Sequence, residues 1–536
     1  MGQTAFSATL TDLAPYQGEW TAAQLTHLLR RTGYGTLKSE VDQLLDMGMD
    51  AAVDALLADQ QLPSPPINYE FANDPNVPIG ETWINQPLVD GVNVNNYRRA
   101  SLRAWMIDVI RKERLSIRET MVLFWTNHFG IANVNQPQVR YDYHSLLQAY
   151  ALGNFRDLIK EITINPAMLS FLNGNQNNVN SPNENYSREL LELFTIGKGP
   201  QIGEGDYTNY TEDDVRALAR ALTGWRTRYF GSTDPNNMPE SFFDANRHDT
   251  TDKQLSYHFN DDIISDGGEL EYQQVIDRIF EEDEVARFIC RKLYRHFVYY
   301  KISDAEETEI IEAMAQIMIA NDYELRPVMA ALLKSEHFYD FDNRGPMIKN
   351  PMQFTMGLLR TFGYDHLEAD LRQDRRILQA YFSRSAGMDM DYFNPPSVAG
   401  WEAYYQAPGF YRIWINSSTL QERSRLTNQL TANGFNLGGL RFNFDWLGWI
   451  QGIPNSTDPN DLIQGITSIL LPRDLTEGQL ANLKEALIPG LPDFEWTVEY
   501  GMYLESPDDE DLRAAVLTKL LDLFRAVFNL AEFQLV

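Results

Sequence analysis

The chain is 536 residues long, with 43% hydrophobic and 12% aromatic residues, which is enough apolar material for a sizeable core. It carries 45 Lys and Arg against 75 Asp and Glu, a formal net charge of −30. Nucleic acids and anionic membranes are bound largely through Lys and Arg, so this charge argues against both as partners and leaves cationic partners and divalent cations compatible.

The only cysteine, Cys290, lies in an apolar helical segment, so no intrachain disulfide can form and the residue is predicted to be buried. The N-terminus, Met1–Phe6, lacks the basic and apolar regions of a secretory signal. No apolar run reaches the ~18 residues that a membrane span needs. We therefore expect a cytoplasmic protein as written, or a periplasmic or exported one if the chain is processed or carried by a partner.

Helical periodicity dominates the first half of the chain. Apolar spacing predicts two helices within 20–58, a series of helices over 97–172, and two more near 184–196 and 212–225. Between the first two groups, a segment rich in proline and asparagine at 61–96 predicts a long ordered loop.

The second half contains an insertion and more helices. Residues 226–272 look like the insertion, in which Phe242–Phe243 and Leu255–Phe259 predict the short strands of a β-hairpin. A loop-like stretch follows at 385–418. The remaining predicted helices lie near 272–300, 305–320, 324–336, 350–363, 374–384, 417–430, 476–487 and 508–530.

These patterns together predict a mainly α fold with long ordered loops and a small β-hairpin insertion. The main helical domain is predicted to cover 1–430, and a smaller helical C-terminal unit, 431–536, is predicted to pack on it. Polar linkers near 431–439 and 453–460 mark the only boundary that the composition suggests.

The densest polar cluster is Asn183–Glu192, which follows an Asn-rich loop. On a helix, Glu184, Arg188 and Glu192 stand at i, i+4 and i+8 and share one face. Glu189 lies three residues before Glu192, so these two carboxylates can converge as well. Convergent carboxylates beside an arginine suit a metal site or an acid–base pair. The alternative is an Asn-capped amphipathic helix with i,i+4 ion pairs.

Two histidines are candidate ligands. His128 ends an apolar helix, and the charged face of the 184–192 helix is expected to turn inward towards it. A lone histidine in that position is more often a hydrogen-bonded core or capping group than a ligand. His248 and Asp249 are adjacent in the predicted insertion, where they could orient an imidazole or bind a metal, although neighbours on an extended backbone point apart.

The candidate residues fall into two overlapping groups. The candidate catalytic residues are Glu184, Arg188, Glu189, His248 and Asp249. The candidate metal ligands are His128, Glu189, Glu192 and His248. Thr211, with Asp214 three residues later, also predicts a capping box at the start of the 212–225 helix.

Several common catalytic signatures are missing from the sequence. It contains no Gly-x-Ser-x-Gly elbow, no His-Glu-x-x-His, no Walker loop and no dinucleotide fingerprint after a strand. No cofactor is therefore evident, and a divalent metal remains possible.

Segments spread in order over nearly the whole chain resemble a large bacterial family catalogued as domain of unknown function 1800. They are His27–Arg31, Phe124–Phe129, Ala151–Arg156, Asn183–Glu189, Tyr210–Val215, Ala221–Trp225, Arg247–Asp249, Phe288–Leu293 and Ala531–Leu535. The inserted Gly197–Gly203 and the missing signal are similar to the Bacteroidota-type branch.

The resemblance implies no settled activity. It implies a paired role with sulfatase-like proteins that carry export signals and are often encoded nearby, which is an association and not a mechanism. It also implies that five residues belong to one site: Asn183, Glu184, Arg188, Glu189 and His248.

Two functions remain open on these patterns. One is a helical binding or assembly protein that acts with a partner, suggested by the aromatic-rich loops at 61–96 and 385–415, which are expected to be exposed. The other is a metal-assisted hydrolase that uses carboxylates of the 184–192 helix with His128 or His248. Convergence of these side chains to within about 4 Å in a pocket would favour the hydrolase.

Overall fold

The computed structural model of the chain describes residues 13–363, 370–432, 434–437 and 440–536. Helices account for 57% and strands for 6%, which confirms the predicted mainly α fold. No helix in this described part is both long and apolar enough to cross a bilayer. The localisation expectation rests on the N-terminal residues, and 1–12 lie outside the described residues.

The helices are numbered in chain order. The first ten are α1 (Ala22–Thr32), α2 (Lys38–Met47), α3 (Met49–Leu57), α4 (Val94–Lys112), α5 (Arg118–His128), α6 (Pro137–Ala149), α7 (Phe155–Ile164), α8 (Pro166–Phe171), α9 (Glu184–Glu189) and α10 (Glu212–Ala221). A π-helical segment, Leu190–Thr195, continues α9 directly.

The remaining helices lie after the insertion. They are α11 (Glu271–Ile279), α12 (Asp283–Phe297), α13 (Asp304–Glu306), α14 (Glu312–Ala320), α15 (Leu325–Leu333), α16 (Pro351–Thr361), α17 (Leu371–Gly387), α18 (Glu402–Tyr405), α19 (Ser417–Ala432), α20 (Trp446–Gln451), α21 (Pro459–Leu470), α22 (Glu477–Leu487), α23 (Phe494–Glu505) and α24 (Glu510–Phe528). A second π-helical segment, Glu307–Ile311, joins α13 to α14.

Some predicted helices are divided in two. The second helix predicted within 20–58 breaks between α2 and α3 at Gly48, whose φ of 78° lies in a region that glycine adopts without strain. The helix predicted at 272–300 breaks between α11 and α12, where Glu282 takes an extended backbone before α12 begins. Apolar periodicity continues across both breaks, so it does not reveal them.

Strands occur only as antiparallel pairs among the described residues. The pairs are β1 (Gln201–Gly203) with β2 (Asp206–Tyr207), β3 (Trp225–Arg228) with β4 (Glu240–Phe243), β5 (Lys253–Gln254) with β6 (Ile263–Ile264), and β7 (Phe435–Leu437) with β8 (Leu440–Phe442). Two of these pairs, β1–β2 and β7–β8, lie outside the predicted insertion.

The insertion holds two hairpins in place of the one predicted. Phe242–Phe243 lies in β4, as predicted, whereas the prediction of a strand at Leu255–Phe259 is wrong. The chain turns there because Ser256 accepts a hydrogen bond from the His258 amide, and Asn260 follows with a φ of 57°. A serine cap and a left-handed asparagine favour a turn over an extended strand.

The buried apolar side chains form two clusters. Cluster one is built by α1–α3, α5–α12, α14 and α15, and cluster two by α4, α16–α24 and the loop around Trp83. Cluster two therefore contains residues from both sides of the predicted linker at 431–439, where 433, 438 and 439 lie outside the described residues. The domain boundary near that linker stays a prediction.

Two buried arginines tie the clusters together. Arg30 on α1 donates to the Ser468 and Ile469 carbonyls of α21, at 3.0 and 2.9 Å. Arg360 on α16 pairs with Glu40 on α2 at 3.1 Å. Hydrogen bonds from a buried charged group are among the stronger polar contacts in proteins, so both ties fix the clusters relative to each other.

The long loops are ordered, but their large aromatic side chains point inward. Trp83 is fully buried and donates to the Ser101 hydroxyl at 2.9 Å. Trp401 and Trp414 in the second loop are buried too. The expectation that these loops expose aromatic surface is therefore wrong, because the rings complete cluster two.

Candidate functional site

Most of the candidate site residues lie around α10. The predicted capping box is confirmed: Thr211 caps the Asp214 amide, and the Asp214 carboxylate accepts from the Thr211 backbone. The same carboxylate accepts from the Ser256 amide and hydroxyl, both at 2.7 Å, and so holds the insertion against α10. Ten residues make α10 about 15 Å long, which separates the groups at its two ends.

Arg188 is the centre of the group at the start of α10. It forms two hydrogen bonds of 2.8 Å with the Glu212 carboxylate and a third contact of 3.2 Å with Glu184. The Tyr207 hydroxyl also donates to Glu212, at 3.0 Å. Hydrogen bonds from Arg188 lower the pKa of Glu212 to about 2. The arginine is thus neutralised by two carboxylates, one of them bidentate.

Glu192 does not share the contacts of Arg188. A π-helical turn contains more residues than an α-helical one, so the segment after Glu189 rotates Glu192 off the predicted face. Glu192 accepts from the Tyr210 hydroxyl at 3.2 Å and lies 3.6 Å from the Lys198 ammonium. Glu189 is half-buried, and burial together with the charge of Glu192 raises its pKa.

His128 contacts backbone and lysine groups. Its Nε2 lies 3.0 Å from the Phe194 carbonyl, and Lys292 Nζ lies 3.1 Å from its Nδ1 and 2.9 Å from the Leu193 carbonyl. A carbonyl only accepts, so Nε2 carries the proton and Nδ1 accepts from the lysine. Both ring nitrogens are therefore engaged, and the two side chains together cap the end of the π-helical segment.

His248 lies beyond the other end of α10. Its Nδ1 is 2.9 Å from the Thr223 carbonyl. Its Nε2 is 2.9 Å from Oε2 of Glu271 and 3.6 Å from Oδ1 of Asp266. Within the described part of the chain, these three side chains form a group that could hold a metal ion. One potential ligand atom from each lies within 4.8 Å of the other two.

The Thr223 hydroxyl does not supply a proton to the imidazole. It donates to the Arg220 carbonyl at 2.7 Å and accepts from the Asp249 amide at 2.8 Å. Nδ1 of His248 must therefore be the donor to the Thr223 carbonyl. That assignment leaves Nε2 as the nitrogen that faces the two carboxylates.

Lys253 holds the buried carboxylate from the other side. Its side chain is fully buried, forms an ion pair with Oε1 of Glu271, and donates to the Asp249 carbonyl at 2.5 Å. The Gly267 amide donates to Oε2 at 3.1 Å. Glu271 thus has a fixed orientation, with its remaining lone pair directed to the imidazole.

The Asp249 side chain turns away from its neighbour His248. It accepts from Arg220 Nε at 2.8 Å and from the Thr251 amide at 2.9 Å. Burial alone would raise its pKa, but these hydrogen bonds hold it below the ordinary value for an aspartate. Asp249 therefore belongs to a separate ion pair that braces the insertion.

The residues that the family resemblance implies for one site lie in two groups. Glu184 and Arg188 stand near the start of α10, whereas His248 lies beyond its end, a helix length of about 15 Å away. Asn183 caps α9 by accepting from the Asn185 amide at 3.0 Å.

The sequence over residues 27–535 matches the family described as "Protein of unknown function (DUF1800)". The chain belongs to this family. No curated protein and no solved structure matches the chain.

For this member of the DUF1800 family, sequence reasoning missed two partners of His248. Asp266 and Glu271 are 18 and 23 residues away, and no fixed spacing links them to it. The β5–β6 pairing returns the chain, because Lys253 lies opposite Ile264 and the following residues then reach the histidine. Such a convergence depends on the hairpin and not on a motif, so composition and spacing contain no signal for it.

Proposed function

We propose that this chain is a metal-dependent protein whose divalent transition ion is bound by His248, Asp266 and Glu271. One observation carries the proposal: Nε2 of a buried histidine faces two carboxylates while Nδ1 donates to a backbone carbonyl. In the neutral imidazole, Nε2 then presents a lone pair to acceptors only. A cation bound between Nε2 and the carboxylate oxygens removes the repulsion between their lone pairs.

The environment of the histidine also favours a ligand role. Metal-bound histidines usually donate their second ring N–H to a carbonyl or carboxylate, which fixes the tautomer. The contact of His248 with the Thr223 carbonyl has this form. Lys253 and the Gly267 amide fix Glu271 in the same way.

The distances suit first-row transition ions. For metal–ligand bonds of about 2.1 Å, ligand atoms 2.9 Å apart subtend about 87° and atoms 3.6 Å apart about 118°. Both angles are close to octahedral or tetrahedral values. One imidazole with two carboxylates suits Zn²⁺, Mn²⁺ or Fe²⁺ better than Ca²⁺ or Mg²⁺, which prefer oxygen alone.

Metal-assisted hydrolysis is the reaction class that this arrangement supports. His248 and Glu271 are buried, while the Asp266 side chain is 45% exposed, so the open side of the group faces solvent. Three protein ligands with an open position are typical of catalytic rather than structural zinc sites. This proposal keeps His248 as a ligand and replaces the carboxylates of the 184–192 segment with Asp266 and Glu271.

Metal binding is tested by elemental analysis and by titration of Zn²⁺ and Mn²⁺ into chelator-treated protein. We expect about one ion per chain for the native protein and loss of that ion in His248→Ala. The matched control is His258→Ala. His258 Nε2 also lies 2.9 Å from a carboxylate, that of Asp206, but its side chain is 11% exposed against 1% for His248, and it pairs with one acid only among the described residues.

The competing interpretation is an imidazolium that donates to both acids. In that case the native protein would contain no stoichiometric metal, and NMR would show protons on both nitrogens of His248 at neutral pH. Either result would sink the metal proposal. Loss of the ion in His258→Ala but not in His248→Ala would do so as well.

A second candidate function, association with a partner, is supported by an exposed apolar stripe that runs from Leu491 along α23. Leu491, Phe494, Val498 and Met502 are between 45% and 61% exposed, and the last three repeat at i, i+4 and i+8. The opposite face of α23 is buried in cluster two. An uncovered apolar stripe of this kind is typical of a protein-binding surface.

The surroundings of the α23 stripe indicate the chemistry of its partner. An exposed acidic run follows the stripe: Glu505, Asp508, Asp509, Glu510 and Asp511. We propose that the partner presents an apolar strip flanked by Lys or Arg, as a helix-in-groove ligand does. The sulfatase-like protein that the family resemblance implies is the first partner to test.

The test is sedimentation of the chain with the purified sulfatase-like protein. Val498→Asp is expected to weaken association at least tenfold, and high salt is expected to weaken it further. Leu420→Asp on α19 is the matched control, because Leu420 is also an exposed apolar side chain on a helix, 43% exposed. Equal effects of both substitutions, or no complex at all, would contradict this role.

A further inference from the structure

A cavity of about 360 Å³ lies between α4, the start of α5 and α17, and the segment 63–67 closes one side of it. Its apolar wall is formed by Trp105, Val109 and the prolines of that segment. The volume falls within the range of small-molecule sites, which are commonly apolar with a few fixed polar groups. None of the candidate site residues predicted from the sequence lines this cavity.

Three cationic side chains line the cavity: Lys112, Arg118 and Arg375. The single carboxylate of Asp108 accepts from both Lys112, at 2.8 Å, and Arg375, at 2.6 Å. Arg118 donates to Glu119, which lies behind the wall, at 3.0 Å. Asp108 also pairs with Arg111, at 2.6 Å, and Arg375 lies 3.8 Å from the Asp374 carboxylate. Among the described residues around the wall, four cations therefore face the three carboxylates of Asp108, Asp374 and Glu119, which leaves positive charge in excess in a chain whose net charge is −30.

Glu113 is the other acid of the lining, and it is buried. Its Oε1 accepts from the Glu119 amide at 3.1 Å. Burial and the charge of Glu119 raise the pKa of Glu113 to about 8, although Arg118 and Arg360 oppose the shift. The side chain is therefore mainly a neutral carboxylic acid at pH 7, able to donate a hydrogen bond into the cavity.

We propose that this cavity binds a small anionic molecule, with its carboxylate or phosphate held by Lys112, Arg118 and Arg375 and its apolar body against Trp105. Arginine and lysine together bind such oxyanions through short charge-assisted hydrogen bonds. A neutral Glu113 adds a donor to the same wall instead of a repelling charge.

The proposal predicts a pH dependence of affinity. The charged and titratable groups around Glu113 are Glu119 and Arg118 on α5 and Arg360 on α16, with Tyr34 and Tyr392 farther away. Burial also raises the pKa of Glu119, so the two acids titrate as an interacting pair. The two tyrosines have pKa values well above the ordinary range, so they stay neutral. As the pH rises through about 8, Glu113 ionises, and the affinity for an anion should fall severalfold.

Calorimetric titration of the full chain with phenyl phosphate, benzoate and inorganic phosphate tests the binding. Phenyl phosphate and benzoate distinguish the two oxyanions, and inorganic phosphate shows whether the apolar body matters. Lys112→Met should weaken binding about tenfold or more, since a charged hydrogen bond is lost.

Lys38→Met is the matched control for this variant. Lys38 and Lys112 both pair with an aspartate four residues away at 2.8 Å, and their side chains are 42% and 52% exposed. Binding should be unchanged in Lys38→Met. Equal losses in the two variants, or no binding of any probe at millimolar concentration, would overturn the proposal.

Glu113→Gln separates this site from nonspecific ion binding. Glutamine keeps the neutral donor, so the variant should bind at pH 7 and lose the decrease in affinity between pH 7 and 9. A variant that keeps the decrease would show that Glu113 is not its cause and would overturn that part of the proposal. If Glu113→Gln does not fold, a wild-type affinity that is independent of pH over this range would overturn the same part.

Discussion

Lys292 is an uncommon residue because it is buried without a carboxylate partner among the described residues. Its ammonium contacts His128 and the Leu193 carbonyl and lies over the Phe288 and Tyr405 rings, at 4.6 and 4.9 Å. Burial and the charge of Arg295 lower its pKa to about 7. Carbonyl and ring contacts only partly replace the lost hydration of the ammonium.

This shift predicts how stability depends on pH. The unfolded chain keeps the proton of Lys292 up to a pH of about 10.4, whereas the folded protein releases it near pH 7. The unfolded state therefore binds more protons between these values, so the lysine's contribution to the free energy of unfolding rises with pH there. Its slope is at most about 1.4 kcal/mol per pH unit.

Urea unfolding of wild type and Lys292→Met at pH 7, 8 and 9 measures the effect. The free energy of unfolding of wild type, relative to that of Lys292→Met, should increase as the pH increases. Lys484→Met, on the surface and paired with Asp493, should track wild type at every pH. A constant difference for Lys292→Met would mean that the lysine titrates normally.

The helix α10 joins several segments of cluster one that are otherwise separate. Its capping residue Asp214 is fully buried and accepts from the Thr211 backbone and from the Ser256 amide and hydroxyl. Removal of this carboxylate takes away the acceptor at the start of α10, so buried N–H groups lose their hydrogen-bond partner. Asp214→Ala should therefore lower the free energy of unfolding by roughly 2–4 kcal/mol.

The adjacent aspartate provides the control for Asp214→Ala. Asp213 is 79% exposed and pairs only with Arg216 among the described residues. Asp213→Ala should change stability by no more than about 0.5 kcal/mol. Similar urea midpoints for the two variants would show that the capping box contributes nothing beyond surface charge.

The capping box also shows what sequence can predict about this site. Thr211 and Asp214 are three residues apart, so their contact is local and follows from helix geometry. The pairing of Glu184 with Arg188 is local in the same sense and follows from their spacing. The partner Glu212, and the π-helical segment that turns Glu192 away, depend on tertiary packing and have no signature in spacing.

The same distinction between local and long-range contacts applies to the whole molecule. The mainly α fold and the buried Cys290 are predictable because periodicity and composition act over short distances. The two-hairpin insertion, the inward aromatic rings of the loops and the acids beside His248 all require contacts between distant segments. Such contacts are fixed only when the clusters form, so a single sequence does not specify them.

The positions of the cluster-two helices along the chain have a consequence for the protein while it is being synthesised. The helix α4 packs on α17, which begins about 260 residues later in the chain. A ribosome adding about 5–20 residues per second needs on the order of 10–50 s to supply that partner. During this interval the face of α4 that packs on α17 stays uncovered, exposed to chaperones and to neighbouring nascent chains.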